Sequence, residues 1–389
     1  MLLGVCGKTN VGKTTFFSAC TLVDAEISNR VFTTIEPNKG VTYFRTKCPC
    51  KELGVNCNAQ NSRCVDGVRY VPIKVVDVAG LVPDAHLGKG LGNQFLSDIM
   101  TADVLIHVVD ISGSTDATGN PCLPGQHNPQ EDIDFFKREL NYWILAILKK
   151  NLEHISKRVA ATQEKFSDMV YKQLSGLNVT LENVEDAINA VQLAVNSDES
   201  TFLRFIELLL EKNKSVLIAA NKIDVPEADK LFNELKIPSM TACSAEAELA
   251  LRKAAEHGLV DYSPGDRDFI VKGIISPKQA AALDTIRKNI LQKFGSTGVQ
   301  HVIDSAVALL GMIVVYPVEN EHKLSNKKGH VLPDAILIKR GSSALDLAYR
   351  VHEDIGKKFI SAVDARTGKS ISSHAQLKNG DVVSIKAGR

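Results

Sequence analysis

The sequence predicts an α/β protein: a doubly wound, mostly parallel sheet, interrupted by an all-helical insertion and followed by a small α+β module. Three observations carry this. Residues 103–110 (DVLIHVVD) and 215–220 (SVLIAA) are nearly unbroken apolar runs, the pattern of strands buried on both faces of a sheet. Between these two runs the strand pattern stops and helical spacing takes over. From Ile313 onward, short strand-like and helical stretches alternate up to residue 386.

Residues 2–6 form a short apolar strand that runs into a glycine-rich turn, and residues 14–22 read as the helix that follows. Residues 41–44 and 71–77 are strand-like. Asn128-Pro129-Gln130-Glu131 opens a helix: Asn caps, Pro takes the first helical position and Glu closes the box. Ile133, Phe136, Leu140, Trp143, Ile144 and Ile147 then recur at helical spacing, an apolar stripe that belongs to a core. Further helices are expected at 162–174, 181–196 and 201–212. The sheet resumes at Ser215 and continues through 237–243, with helices at 246–257, 278–294 and 299–310. Strands are expected at 313–316, 335–338 and 381–386, around a helix at 345–359. Strands alternating with helices make a doubly wound domain. Its two parts are 1–127 and 214–275, split by the insertion at 128–213. A helical connector at 276–311 and the module at 312–389 complete the chain. No internal repeat or low-complexity tract interrupts it.

A chain of 389 residues exceeds what one hydrophobic core usually serves. With 44% hydrophobic and 23% charged residues it has the composition of a globular protein. A net charge of +1 excludes a general polyanion binder. The charge is uneven, however: residues 312–389 carry 13 Lys/Arg against 8 Asp/Glu, and the remainder 33 against 37. A basic module on a slightly acidic body points to a phosphate-rich partner, although an ordinary solvated face gives the same count. The start, MLLGVCGKTN, has no signal-peptide pattern. No apolar stretch reaches membrane-spanning length. The expected location is therefore the cytoplasm, where clustered cysteines suggest metal before disulfide.

Gly7-Lys8-Thr9-Asn10-Val11-Gly12-Lys13-Thr14 matches G-x-x-x-x-G-K-[ST] in full, after a predicted strand and opening a predicted helix. Such a P-loop closes backbone N–H groups around phosphates, helped by the positive helix N-terminus, which Thr15 continues. Lys13 is expected at the β- and γ-phosphates and Thr14 on Mg²⁺. Asp77-Val78-Ala79-Gly80 ends the strand 71–77. There Asp77 can hold a Mg²⁺ water and the Gly80 N–H can meet the γ-phosphate.

Asn221-Lys222-Ile223-Asp224 follows the strand 215–220 and decides the base. The Asp224 carboxylate can accept from the ring N–H and the exocyclic amine of guanine. Adenine would leave that carboxylate unpaired, so the expected ligands are GTP and GDP. In Thr241-Ala-Cys-Ser-Ala245, Ser244 and Ala245 can support the base; Ser244 as a plain helix cap is the competing reading. Phe32-Thr33-Thr34-Ile35-Glu36-Pro37 lies between the P-loop helix and the second strand. A threonine hydroxyl here can complete the Mg²⁺ shell and sense the γ-phosphate, against the alternative of a polar loop.

Cys48-Pro-Cys50, Cys57 and Cys64 fall close together between two predicted strands. Four thiolates can hold a tetrahedral Zn²⁺ and pin a loop without a core of its own. The spacing C-x-C-x₆-C-x₆-C is not a standard knuckle, and disulfides or free thiols remain open. Cys6, Cys20, Cys122 and Cys243 are dispersed and read as small core or loop residues. His107, inside an apolar strand, reads as a core residue.

Taken together these strings resemble the Obg family of GTPases, and within it the YchF-like branch, particularly its archaeal members. The likeness rests on FTTIEPNKG, DVAGLVPDAHLGKGLGNQFL, the helical insertion, YSPGDRDF and the C-terminal module with LKNGDVV. It implies a Ras-like P-loop NTPase domain and a C-terminal TGS domain of β-grasp fold, with ribosome or RNA as partner through the TGS surface. By this resemblance Thr34 is the switch threonine. Leu81 stands where Ras-like enzymes carry a water-positioning glutamine, a substitution the family shares. Asn10 matches the asparagine that helps hold K⁺ in potassium-activated relatives, so K⁺ joins Mg²⁺ as an expected cofactor. Typical YchF members have an altered base motif and prefer ATP; the intact N-K-I-D here points to GTP. Some members use a histidine in the loop after the fourth strand. His127 lies in the comparable region at a different spacing, which leaves a catalytic role open.

Overall fold

The computed structural model describes residues 1–21, 38–78, 99, 101–161, 164–177 and 179–388, without the side chains of 154 and 160. In chain order the strands are β1 (Leu2–Cys6), β2 (Lys39–Lys47), β3 (Arg63–Val65), β4 (Val68–Asp77), β5 (Val104–Asp110), β6 (Ser215–Asn221), β7 (Met240–Ala242), β8 (Val260–Asp261), β9 (Ile270–Val271), β10 (Met312–Val318), β11 (Ile336–Lys339), β12 (Phe359–Asp364), β13 (Ser370–Ile371) and β14 (Val382–Ala387). The helices are α1 (Lys13–Thr21), α2 (Pro129–Ala161), α3 (Phe166–Leu174), α4 (Leu181–Val191), α5 (Glu199–Asn213), α6 (Ala228–Leu235), α7 (Ala245–Glu256), α8 (Pro277–Ile286), α9 (Gln292–Phe294), α10 (Val299–Leu309), α11 (Ala344–Val351) and α12 (Glu353–Lys357). These elements fall into two compact units, one of residues 2–19 and 75–302, the other of residues 20–74 and 303–389 with Met1.

The first unit is built on the predicted sheet, in the order β4-β1-β5-β6-β7. β5 pairs parallel with both β1 and β6, and β6 with β7. All seven residues of β5 are buried, which is why its sequence shows no alternation. His107 is among them; it stacks on Phe136 with ring centroids 4.4 Å apart, and burial pushes its pKa down to about 3. It is a neutral core residue.

Between the neighbouring strands β5 and β6 the chain leaves for the insertion, α2 to α5. α2 runs for 33 residues, and Phe136, Leu140 and Ile144 on its inner face join Val170, Leu174, Phe202, Phe205 and Leu209 in one core, with Trp143 packed against it. Helix α4 ends at Val191, earlier than the sequence pattern suggests, because Gln192 turns left-handed at φ 53°. The stretch expected as one helix at 278–294 carries a π turn at Arg287–Leu291 between α8 and α9.

In the second unit β2 and β3 both pair with β4. The C-terminal part forms a mixed sheet in the order β11-β10-β14-β12-β13, with β10 and β14 parallel. Leu347 of α11 packs with Ile313, Val315, Ile338 and Val383 in its core. One expectation fails here. The helix proposed at 345–359 breaks at His352, whose backbone is extended at φ −164° and whose Nδ1 accepts from the Asp354 N–H, capping α12. Phe359 then starts β12, a strand absent from the sequence reading.

Candidate nucleotide site

At the end of β1 the chain turns through Gly7–Gly12 into α1, so the first α1 amides point into the loop's hollow. Gly12 sits at φ +88°, and a Cβ there would lie 2.3 Å from Asn221 Nδ2; only glycine lets the loop approach so closely. Val11 is buried, Lys13 and Thr15 are half-buried at the start of α1, and Thr9, Asn10 and Thr14 are exposed.

Thr14 and Asp77 meet as expected: Thr14 Oγ1 donates to Asp77 Oδ2 at 3.4 Å. The other oxygen, Oδ1, is buried without a hydrogen-bond partner among the described residues. Burial raises the Asp77 pKa, while Lys13 and the Thr14 hydroxyl pull it down. A half-satisfied buried carboxylate beside a threonine hydroxyl is a donor set suited to a hard divalent cation and its waters. Thr34, Gly80 and Leu81 lie outside the described residues.

At the base end, Asn221 joins two loops. Its Nδ2 donates to Val11 O at 2.9 Å and its Oδ1 accepts from Ala245 N at 3.0 Å. The Ser244 hydroxyl caps α7 by accepting from Ala247 N, the competing reading raised from sequence. Asp224 is exposed in the turn after β6. Lys222 adopts φ 63°, and its Nζ reaches back 2.8 Å to Asp110 Oδ2. Burial would raise the Asp110 pKa, but hydrogen bonds from Lys222, Ser112 and Thr115 outweigh it and hold the carboxylate below its usual value.

A second layer escaped sequence reasoning. Lys8 is a P-loop residue, yet its side chain is buried and leaves the loop. Its Nζ donates to Thr115 O at 2.9 Å, Asp116 O at 2.7 Å and Asp132 Oδ1 at 2.8 Å. His127 Nε2 lies 2.8 Å from the same Asp132 oxygen, so the buried imidazole is held within this cluster. Asn10 Nδ2 donates to Gly119 O at 2.9 Å. The segment after β5 is thus laced to the P-loop. A signal for it in the sequence is the carboxylate that closes β5, Asp110, which holds Ser112 and Ser114 at the start of this segment.

The four clustered cysteines also converge: Cys48, Cys50, Cys57 and Cys64 have their Sγ atoms within 4.8 Å of one another. Cys6, Cys20 and Cys243 are buried singly and Cys122 is half-buried. No helix among the described residues is long and apolar enough to cross a membrane.

Residues 2–222 match the family described as 50S ribosome-binding GTPase, residues 219–320 the Obg-like GTPase YGR210-like domain that contains the G4 motif, and residues 328–387 the TGS domain. A GTP-binding protein of Methanocaldococcus jannaschii is 46% identical over 99% of this chain and 98% of its own. The crystal structure of a GTP binding protein from Pyrococcus horikoshii OT3 is 38% identical, covers 100% of both chains and superposes with a TM-score of 0.77. The ribosome-binding ATPase YchF of Bacillus subtilis is 27% identical over 92% of this chain and 87% of its own. With a P-loop, an N-K-x-D turn bound to it through Asn221, and a C-terminal TGS domain, the chain belongs to the YchF-like branch of the Obg family of GTP-binding proteins.

Proposed function

We propose that this protein is a Mg²⁺-dependent GTPase that switches between GTP and GDP states and acts at the ribosome. The observation that carries the reading is the convergence of Lys13, Thr14 and Asp77 at one end of the P-loop with the Asn221 bridge to residues 244–245 at the other. Backbone amides of residues 7–15 and the Lys13 ammonium hold the phosphates. Thr14 and Asp77 would hold Mg²⁺, which would supply positive charge to offset that developing on the phosphate oxygens. Water displaces GDP from the γ-phosphorus, breaking the bridging P–O bond and giving GDP and inorganic phosphate. Asn10, through its amide oxygen, would hold K⁺ beside the phosphates. Asp224 selects guanine.

An ATPase reading draws on the name of the Bacillus subtilis relative. The intact Asn221-Lys222-Ile223-Asp224 favours GTP. Direct competition between GTP and ATP separates the two. Asp224→Asn should erode GTP preference, and unchanged discrimination would argue against guanine reading. Lys13→Ala should lose binding or turnover; wild-type turnover in that variant would refute the catalytic assignment. Ribosome association is supported by the family description and by the TGS domain. Co-sedimentation with ribosomal subunits, in GDP and in a non-hydrolysable GTP analogue, should differ between the two states. Equal binding in both would favour an RNA-binding module whose hydrolysis is incidental.

A further inference from the structure

Cys48 and Cys50 flank Pro49 in a turn that follows β2, stabilised by Cys48 N–H to Gly67 O at 2.8 Å and Leu53 N–H to Pro49 O at 2.9 Å. Cys64 lies on β3, opposite Arg69 in the β3–β4 hairpin. Cys57 comes from the loop between. The Cys50 and Cys64 sulfurs are 3.8 Å apart. A disulfide needs about 2.0 Å. A tetrahedron of thiolates at about 2.3 Å from a central Zn²⁺ has sulfur–sulfur edges of about 3.8 Å.

A second observation comes from Arg69. It is fully buried, and its Nη2 donates to Leu332 O at 2.6 Å. Its Nε and Nη1 have no hydrogen-bond partner among the described residues. Its guanidinium carbon lies 5.5 Å from the centre of the buried Tyr316 ring, and its charge acts on Cys48. Asp334 also lies in its field, and burial raises that carboxyl while Arg69 pulls it down. A buried guanidinium needs negative charge nearby. Four thiolates around a divalent cation carry a net charge of about −2.

The same loop is docked on the chain that leads into β11. Asn58 N–H donates to Val331 O at 2.7 Å and Gln60 N–H to Pro333 O at 2.6 Å. Asn61 Oδ1 accepts from Ala335 N at 2.9 Å and its Nδ2 donates to Ala335 O at 3.1 Å. All these residues belong to one compact unit.

We propose that Cys48, Cys50, Cys57 and Cys64 bind a structural Zn²⁺, with Arg69 as its buried countercharge, and that the ion clamps the 48–67 loop onto residues 331–335 at the edge of the TGS domain. Zn²⁺ displaces the four thiol protons and closes the tetrahedron; no redox step is involved. The loop has few apolar residues of its own, so the ion takes the place of a core.

Full-length protein purified without chelator should contain stoichiometric zinc, and replacement by Co²⁺ should give thiolate-to-metal charge-transfer absorption. Absence of zinc, iron in its place, or a disulfide among these cysteines by mass would each overturn the assignment. These readouts use wild-type protein, so they hold even if Cys57→Ser or Cys64→Ser fails to fold. Arg69→Met should weaken zinc affinity about 10- to 100-fold, as loss of an outer partner does; unchanged affinity would remove Arg69 from the site. Stripping the metal should accelerate hydrogen exchange at the Asn58, Gln60 and Ala335 amides. Unaltered exchange there would refute the clamp.

Discussion

Replacing Asn221 by alanine tests the central connection of the nucleotide site. The side chain is 3% exposed and makes two hydrogen bonds, one to the P-loop at Val11 O and one from the first amide of α7 at Ala245. Alanine leaves a buried acceptor and a buried donor unsatisfied, at about 1–3 kcal/mol each. The variant should therefore lose about 2–6 kcal/mol, divided between the fold and nucleotide binding. If all of it fell on binding, GTP affinity would drop by about 30-fold to about 20,000-fold. Urea unfolding of the nucleotide-free protein gives one share, and titration with a fluorescent GTP analogue gives the other. Asn221→Asp sharpens the test. It keeps the acceptor for Ala245 N but faces Val11 O with a second acceptor, so it should be at least as damaging as alanine. If stability and affinity both stay within about 0.5 kcal/mol of wild type, below the cost of one unmade buried bond, the bridge does not join the two loops.

Lys8→Met should destabilise the protein by about 3–5 kcal/mol, because Asp132 is left buried without its cation. Lys8→Met with Asp132→Leu should recover most of that loss in the same urea titration, and a double variant no better than the single one would refute the pairing. Lys214 offers a pH test. Its Nζ donates to Ala102 O inside the fold, and burial pushes its pKa down to about 8 from the usual 10.5. Between those values the unfolded chain binds more protons than the folded one, so this group's contribution to stability rises with pH from about 8 to about 10.5. Lys214→Met should flatten that rise in denaturation midpoints measured across the window; an unchanged slope would assign it to other groups.

The sheet was legible because β1, β5 and β6 are buried on both faces, which removes any need for polar alternation. Gly12 and Asn221 were legible as motif members because the Gly12 backbone leaves no room for a Cβ and the Asn221 side chain bridges two loops. What escaped has a physical reason in each case. The apolar spacing of Leu345, Leu347 and Ala348 runs smoothly into the residues after His352, and nothing local marks the extended backbone that separates α11 from α12. Lys8 reads as a variable position of the P-loop, whereas its function in the fold depends on Asp132, more than a hundred residues away in sequence. Long-range partners of this kind leave no periodic trace. The convergence of the four cysteines was anticipated, yet its electrostatic complement, Arg69, looks like any surface arginine until the strand pairing places it opposite Cys64.

Helix α2 carries Asp132, the partner of P-loop Lys8, in its first turn and continues for 33 residues, about 50 Å at the usual rise. Tilting its base by about 5° sweeps its tip through about 4 Å. Because Asp132 fastens that base to Lys8 of the P-loop, any tilt passed through this pair would be magnified at the far end of the helix.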